Sequence, residues 1–311
     1  MPKRRQDANQ GADSSRRSFL KGAGLVGAAA ATAVAPSVAA GATPAAPLSK
    51  GKAALPGPRQ IAAETMPPPS DPVNQTSSGG DYMVDVIKTL DIDYMAINCA
   101  SSYRGLHEAV VNHGGNTKPE IITCVHEDIA VHLAQGYAKM DGKPIAMACH
   151  GVVGLQHATM AMYNAWCDRV PVIVFGGNIM EADKRAPGAE WLHAGVDIGQ
   201  IVREFTKWDD QPASLQHFGE SMVRAYKIAT TPPMGPVFLS LDGELQENPI
   251  RDRGSLRIPK YEPVIPPVGD SAAIVEAAKM LVAAKNPLII VDRLARTPAG
   301  MKNLVEFAEA L

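Results

Sequence analysis

Short apolar runs alternate with longer segments of helical periodicity between residues 82 and 241, and this alternation strongly limits the fold. The runs at 121–125, 145–149 and 170–175 are separated by the helix-length segments 128–140 and 155–167. Such an order is typical of βαβ units, in which crossover helices cover both faces of a parallel sheet. We therefore predict an α/β fold, a three-layer parallel sheet with helices on both faces.

The remaining sequence divides around this domain, which we place at residues 80–247. Residues 41–79 are rich in Pro, Ala, Gly and Ser and predict a disordered linker, and residues 248–270 predict a second linker. Residues 271–311 predict a helix, a strand at 287–291 and a further helix. About forty residues are too few to form a core of their own, so this segment predicts the start of a truncated, incomplete second α/β domain.

The first forty residues predict an export signal. Ser15-Arg16-Arg17-Ser18-Phe19-Leu20-Lys21 matches the twin-arginine pattern, and a short run rich in Ala and Gly follows it. That run is too short to span a bilayer stably, and small residues near position 40 suit signal peptidase. We expect a twin-arginine signal peptide over residues 1–40, a periplasmic or exported protein, and no integral membrane segment after signal removal.

The charge balance excludes one broad class of partner. The 311 residues contain 30 Lys and Arg against 32 Asp and Glu, which gives a formal net charge of -2. A chain without a basic excess has no electrostatic field that attracts nucleic acid, so we expect no nucleic-acid partner.

Polar residues follow several of the predicted strands. In open parallel sheets the ligand binds beyond the carboxyl ends of the strands, which directs attention to residues 98–102, 126–127, 150–151 and 176–178. Among them, Glu127 is a candidate acid, because a carboxyl group against an apolar strand is in a setting typical of functional sites. A simpler interpretation stays open, in which Glu127 only complements the dipole of the helix that follows it.

Five separate segments, in order, resemble one enzyme family. The resemblance is to the pyrimidine-binding domain of thiamine diphosphate enzymes of the acetolactate synthase and benzoylformate decarboxylase group. It covers roughly residues 80–245. The matching segments are His126-Glu127, Ala134-x-Gly136-Tyr137-Ala138, Gly142-Lys143-Pro144, Asn164-Ala165-Trp166-x-Asp168-x-Val170-Pro171-Val172 and Gly235-Pro236-Val237.

The resemblance implies roles for particular residues. Glu127 would bind N1′ of the aminopyrimidine and drive formation of the ylid, which attacks a 2-oxo acid. His150 would be a catalytic acid or base near the substrate, although a histidine that only caps the strand end is an open alternative. The implied cofactor-binding residues are Glu127, Ser101, Gly151, Gly154 and His157. The loop 98–101 departs from the family's Asn-Pro-Gly-Ser, which leaves Ser101 and Ser102 as alternatives for a substrate role.

Metal ligands are not predicted within this sequence. His132 follows His126 by six positions, not the four of HExxH, so the pair cannot hold zinc as in metalloproteases. His107, His113, His193 and His217 are scattered, and we expect them to be solvated. In the resembled family a further domain holds Mg²⁺ and the diphosphate through Gly-Asp-Gly, a motif this sequence does not contain. FAD in the second domain has no support from any residue pattern.

Two functions therefore remain open. The first is a carboligase or decarboxylase (a transferase or lyase) acting on a small-molecule 2-oxo acid. This chain would then be a fragment, or one half of a split enzyme, completed by a separate diphosphate-binding chain. The second is a non-catalytic remnant that acts only as a dimerisation or partner-binding module. In either case we expect an oligomer, because the family's cofactor lies between two chains.

Overall fold

The computed structural model of the chain describes residues 56–65, 77–265 and 267–311. The predicted signal peptide and most of the first linker lie outside these residues. The linker at 41–79 is predicted to be disordered. The structure differs at one place, where residues Pro58–Thr65 form a helix, α1. The chain divides into two units; α1 belongs to the first, and the elements described below belong to the second, which begins at residue 72.

A parallel sheet of six strands forms the centre of the second unit. The spatial order is β2-β1-β3-β4-β6-β5, and every neighbouring pair is parallel. This confirms the predicted α/β fold. The strands are β1 (Tyr94–Ile97), β2 (Glu120–Thr123), β3 (Ala146–Cys149), β4 (Ile173–Asn178), β5 (Asp209–Asp210) and β6 (Val237–Asp242).

Helices cover both faces of the sheet and give it two separate apolar cores. One core joins the sheet to α2, α3 and α7, and the other joins it to α4 and α5. Alternate residues of β3 enter the two cores, since Ala146 and Ala148 belong to the first and Met147 and Cys149 to the second. The helices are α2 (Gly79–Lys88), α3 (Arg104–Glu108, extended by a π-helical turn at Ala109–His113), α4 (Glu127–Asp141), α5 (Val152–Cys167), α6 (Ala189–His193), α7 (Leu215–Thr230), α8 (Gly243–Glu247), α9 (Ser271–Ala283) and α10 (Pro298–Glu309).

Helix α4 begins after a capping side chain and ends at a glycine in the left-handed conformation. His126 is the N-cap, and its Nδ1 accepts a hydrogen bond from the backbone N–H of Asp128 at 3.2 Å. Gly142 ends the helix with φ of +83°, a left-handed conformation that glycine adopts without steric cost. Glu127 is consequently the first helical residue and lies directly after the carboxyl end of β2.

The predicted strand at 287–291 is wrong. No regular element occupies these residues, and Leu288 and Ile290 are 78% and 86% exposed. A strand is stable only when a neighbour satisfies its backbone, and the described residues provide no partner strand here. Helices α9 and α10 are present close to their predicted positions, although neither contains a buried residue. None of the described helices is long and apolar enough to cross a membrane.

Candidate functional site

The chain leaves neighbouring strands β1 and β3 toward opposite faces of the sheet. The segment after β1 leads to α3 in the first core, and the segment after β3 leads to α5 in the second. Such a reversal opens a crevice at the carboxyl ends of the two strands, where α/β proteins bind ligands. The predicted residues Glu127, His150, Gly151 and Gly154 all lie at this edge, after β2 and β3.

Glu127 is buried although it is an acidic residue at a helix start. Its side chain is 6% exposed, whereas the next residue, Asp128, is half-buried. Burial of a carboxylate is costly unless partners stabilise it. The N-terminus of α4 favours negative charge here, and His157 Nδ1 lies 3.1 Å from Glu127 Oε2. Helix-dipole complementation alone does not require this burial, because Asp128 achieves it while partly exposed.

His157 belongs to α5 and joins Glu127 to a second histidine. Its ring stacks on that of His126, with centroids 4.8 Å apart and planes inclined by 24°. Possible metal-ligand atoms of His126, Glu127 and His157 lie within 4.8 Å of one another. Among the described residues, no other group of three or more His, Cys, Asp or Glu side chains is this close. We assign no metal to these three side chains; Nδ1 of His126 caps α4, and Nδ1 of His157 pairs with Glu127.

The Glu127 carboxylate lies so close to α5 that position 154 cannot carry a side chain without a steric conflict. A Cβ atom at position 154 would lie 2.9 Å from Glu127 Oε1 and 3.1 Å from the Cβ of His150. Both side chains therefore approach the same point on α5. Gly151 is equally restricted, because a Cβ there would lie 2.3 Å from the carbonyl oxygen of Gly177. The two glycines let the backbone of this turn lie against β4 and against the carboxylate.

His150 follows β3 and contacts two further side chains. Its Nδ1 lies 3.4 Å from Ser102 Oγ, and its Nε2 lies 3.2 Å from Nδ1 of His193. Burial lowers the pKa of His150 from its ordinary value and the neighbouring His193 lowers it further, while Glu127 and Glu190 act in the opposite direction. An imidazole with a hydrogen-bonding partner at each nitrogen can take up a proton on one nitrogen and release one from the other.

Of the two serines left as alternatives, the structure brings Ser102 to His150. Ser101 is exposed at the start of a short 3₁₀ helix, Ser101–Tyr103, whereas Ser102 is 4% exposed and its Oγ accepts the backbone N–H of Gly151 at 3.3 Å. The carbonyl oxygen of Ser102 accepts a hydrogen bond from Gln246 Nε2 at 3.1 Å. This fixes the loop after β1 against α8.

Sequence reasoning missed His193, which was expected to be solvated. It ends α6 in the long connection between β4 and β5, a segment without apolar periodicity. The sequence gives only an indirect signal for His193. The connection that contains it follows β4, whose carboxyl end at residues 176–178 is one of the predicted ligand-binding positions. Of the other three histidines, His113 is exposed, whereas His107 and His217 are half-buried; His113 pairs with Asp85 and His217 with Asp210.

Two family models match parts of the chain. Residues 77–201 match the family model described as "Thiamine pyrophosphate enzyme, N-terminal TPP binding domain". Residues 13–33 match the model of the twin-arginine translocation pathway signal sequence. The second match confirms the predicted signal, which directs export through the twin-arginine pathway.

Curated relatives share part of their length with the chain. Benzoylformate decarboxylase of Pseudomonas aeruginosa is 30% identical over 146 residues, which cover 44% of this chain and 27% of that protein. The acetolactate synthase large subunit of Haemophilus influenzae is 24% identical over 238 residues, which cover 75% and 40%. The chain thus spans less than half the length of these relatives.

Solved structures show the same fold. Benzoylformate decarboxylase of Polynucleobacter necessarius aligns with a TM-score of 0.63 at 23% identity, over 75% of this chain and 42% of that one. A putative thiamin diphosphate-dependent enzyme of Mycobacterium smegmatis aligns with a TM-score of 0.62 at 22% identity, over 76% and 43%. The order of strands and helices described above is therefore shared with these proteins.

Proposed function

Because residues 77–201 belong to the N-terminal TPP-binding domain family of thiamine pyrophosphate enzymes, we propose that this chain supplies the half of a thiamine diphosphate site that holds the aminopyrimidine ring. The observation that carries the proposal is the buried carboxylate of Glu127. It lies at a helix N-terminus in the strand-end crevice, with His157 as its hydrogen-bond partner. A buried carboxylate can accept a hydrogen bond from a protonated ring nitrogen, which is the role we give Glu127.

The residues around Glu127 fit such a ring. Its Oε1 is the atom nearest to where a Cβ at position 154 would be, so the glycine there leaves that side of the oxygen free of a side chain. His157 holds Oε2 and thereby orients the carboxylate. We propose that Gly151, Gly154 and His157 line the pyrimidine site, with Ser101 at its exposed edge. Thiamine diphosphate, when bound, supplies a nucleophilic carbon and an electron sink for a carbonyl substrate.

The substrate we propose is a 2-oxo acid. The relatives named above are a benzoylformate decarboxylase and acetolactate synthases, so the chemistry would be decarboxylation or carboligation. His150 would exchange protons with the bound substrate, because its ring is half-buried, hydrogen-bonded at both nitrogens and close to Glu127. Glu127 would hold the proton at the ring nitrogen.

The diphosphate and Mg²⁺ half of the site would come from another polypeptide segment. The sequence has no Gly-Asp-Gly motif, and none of its described residues is assigned to a diphosphate here. Whether that half follows in the same polypeptide or belongs to a separate chain does not alter the role proposed for Glu127.

We further propose that a second copy of the chain packs against α4 and α5. Glu127–His157 at 3.1 Å and His132–Asn164 at 3.2 Å link the two helices and set their register. On their outer side Ile129, Met160 and Tyr163 are 47%, 64% and 49% exposed. Apolar side chains clustered beside a site are typical of an interaction surface. The non-catalytic alternative, a dimerisation module, would use the same surface without a cofactor.

Ligand-observed NMR with thiamine diphosphate tests the proposed function. Saturation transfer from the full chain to the pyrimidine methyl and ring protons is expected, because the chain supplies that half of the site. Glu127→Gln should weaken the transfer, since a neutral amide oxygen is a weaker acceptor for a protonated ring nitrogen than a carboxylate. Glu120→Gln is the control: Glu120 is exposed at the opposite edge of the sheet, at the start of β2. Equal transfer in wild type and Glu127→Gln would refute the proposal.

A further inference from the structure

His193 and His150 form an imidazole pair at the carboxyl end of β3. Their Nδ1 and Nε2 atoms are 3.2 Å apart, the ring centroids are 4.5 Å apart, and the planes are inclined by 84°. A hydrogen bond between two imidazoles needs one ring as donor and the other as acceptor. The two rings therefore have to adopt matching protonation states.

Ser102 extends the pair into a chain of three side chains. In one arrangement the Ser102 hydroxyl donates to His150 Nδ1, and His150 Nε2–H donates to His193 Nδ1. In the other, His193 Nδ1–H donates to His150 Nε2, and His150 Nδ1–H donates to Ser102 Oγ. The backbone N–H of Gly151 donates to Ser102 Oγ at 3.3 Å in both. A proton that enters His150 at one nitrogen can be followed by loss of the proton at the other, which leaves the ring with the same charge and in the opposite tautomer, so the first arrangement is converted into the second.

The segment that carries His193 is fixed to the sheet. Asn178, the last residue of β4, bonds Gly195 twice: its Nδ2 donates to the Gly195 carbonyl at 2.8 Å, and its Oδ1 accepts the Gly195 N–H at 3.2 Å. On the other side of His193, the buried Glu190 pairs with Arg104 at 2.8 Å. Two anchors within three residues of His193 hold its ring against His150.

Charged groups from several elements face His150. Glu127 of α4 and Glu190 of α6 favour its protonated form, while burial and His193 disfavour it. Because each imidazole opposes the charge of the other, protonation of one ring disfavours protonation of its partner.

We propose that His193 is a positioning residue for His150, and that the two imidazoles exchange and share one proton as a single titrating unit. The pairing rests on the geometry alone. Its use, the delivery of that proton to or from a substrate held beside Glu127, rests on the proposed function.

Histidine NMR of the full chain, labelled with ¹⁵N and without cofactor, tests the pairing. In wild type the ring nitrogens of His150 should show two inflections with pH, as expected for a ring hydrogen-bonded to a second imidazole. In His193→Gln, whose amide can still hydrogen-bond to Nε2, His150 should titrate in one step with its pKa shifted upward. The control His217→Gln, in which the lost imidazole pairs with Asp210, should leave the His150 titration unchanged.

Two results would overturn the pairing. One is a His150 titration that is identical in wild type and His193→Gln. The other, which needs no variant and so holds even if His193→Gln does not fold, is a single inflection with pH for the ring nitrogens of His150 in wild type. Neither result depends on thiamine diphosphate, so failure here differs from equal saturation transfer to the pyrimidine in wild type and Glu127→Gln, which would refute the proposed function instead.

Discussion

Nδ1 of His157 lies 3.1 Å from Oε2 of Glu127, and this contact joins α5 to the first residue of α4. The carboxylate is buried while the side chain of His157 is half exposed, so the histidine approaches the acid from the solvent side. The contact leaves Oε1 facing Gly154. One oxygen is thus held by His157, and the other faces the position that Gly154 leaves without a side chain.

Replacing His157 by Phe should weaken the retention of thiamine diphosphate. The variant keeps the ring stacked near His126 but removes the hydrogen bond that orients Glu127. A hydrogen bond of this kind contributes about 0.5–1.5 kcal/mol, which corresponds to roughly a 2- to 10-fold rise in the dissociation constant. Titration of the ligand-observed NMR signal measures it. The same replacement at His113, an exposed histidine that pairs with Asp85, should leave the constant unchanged, and an equal effect of both variants would contradict the proposed role.

Gly177→Ala should destabilise the fold, whereas Gly136→Ala should stabilise it. A Cβ at position 177 would lie 2.3 Å from the carbonyl carbon and oxygen of Ser102, a backbone clash that costs about 1–3 kcal/mol or more. Position 136 is in the interior of α4 with open space around it, so Ala should gain about 0.5–1 kcal/mol. Urea unfolding measures both changes. A wild-type midpoint for Gly177→Ala would show that the loop after β1 does not lie as described.

Arg104→Met should lower the free energy of unfolding at pH 7 by about 1–3 kcal/mol, because it removes a partner of the buried Glu190 carboxylate. Hydrogen bonding from the backbone N–H of Ala186, and then from Arg104, holds the pKa of Glu190 below its ordinary value. The unfolded value is about 4.3, so this stabilisation is complete above that pH and is lost as pH falls through the lower folded-state pKa.

The difference in unfolding free energy between wild type and Arg104→Met should therefore shrink as the pH falls below about 4. Urea unfolding at pH 7 and pH 3 tests the dependence. Arg251→Met, at an exposed arginine, is the control and should change stability by less than about 0.5 kcal/mol. A difference that stays constant over this range would exclude the Glu190 pair as its cause.

Ile129→Lys combined with Met160→Lys should shift the chain toward monomer. Two charges on the outer side of α4 and α5 would have to lose their hydration in the proposed contact between copies. Sedimentation velocity across a concentration series measures the change. Met140→Lys, at the far end of α4 where Met140 is 89% exposed, should have no effect. A wild-type chain that is monomeric at every concentration would contradict the proposed contact.

Replacing Arg16 and Arg17 together by Lys should abolish export. Residues 13–33 are a twin-arginine signal sequence, and the paired arginines are its defining feature. Fractionation of cells that express the full chain should then recover the variant in the cytoplasm and the wild type outside it. Replacement of Arg4 and Arg5 by Lys lies before the matched residues and serves as the control.

The sequence by itself determined the alternation of strands and helices, the parallel sheet and the export signal. Those properties follow from local periodicity and short motifs, since apolar runs of strand length can be buried on both faces only beneath crossover helices. It also located Glu127 and His150 at strand ends, because the carboxyl ends of parallel strands lie at one edge of a sheet.

Only the tertiary structure decided which side chains meet at that edge. His193 is 43 residues from His150 along the chain, in a connection with no periodic pattern, so no local signal could pair them. The choice of Ser102 over Ser101 depends on a single step along a 3₁₀ turn, which directs one hydroxyl inward and leaves the other exposed. The predicted strand at 287–291 failed for a related reason: a run of strand residues forms a strand only where a partner backbone is present to bond it.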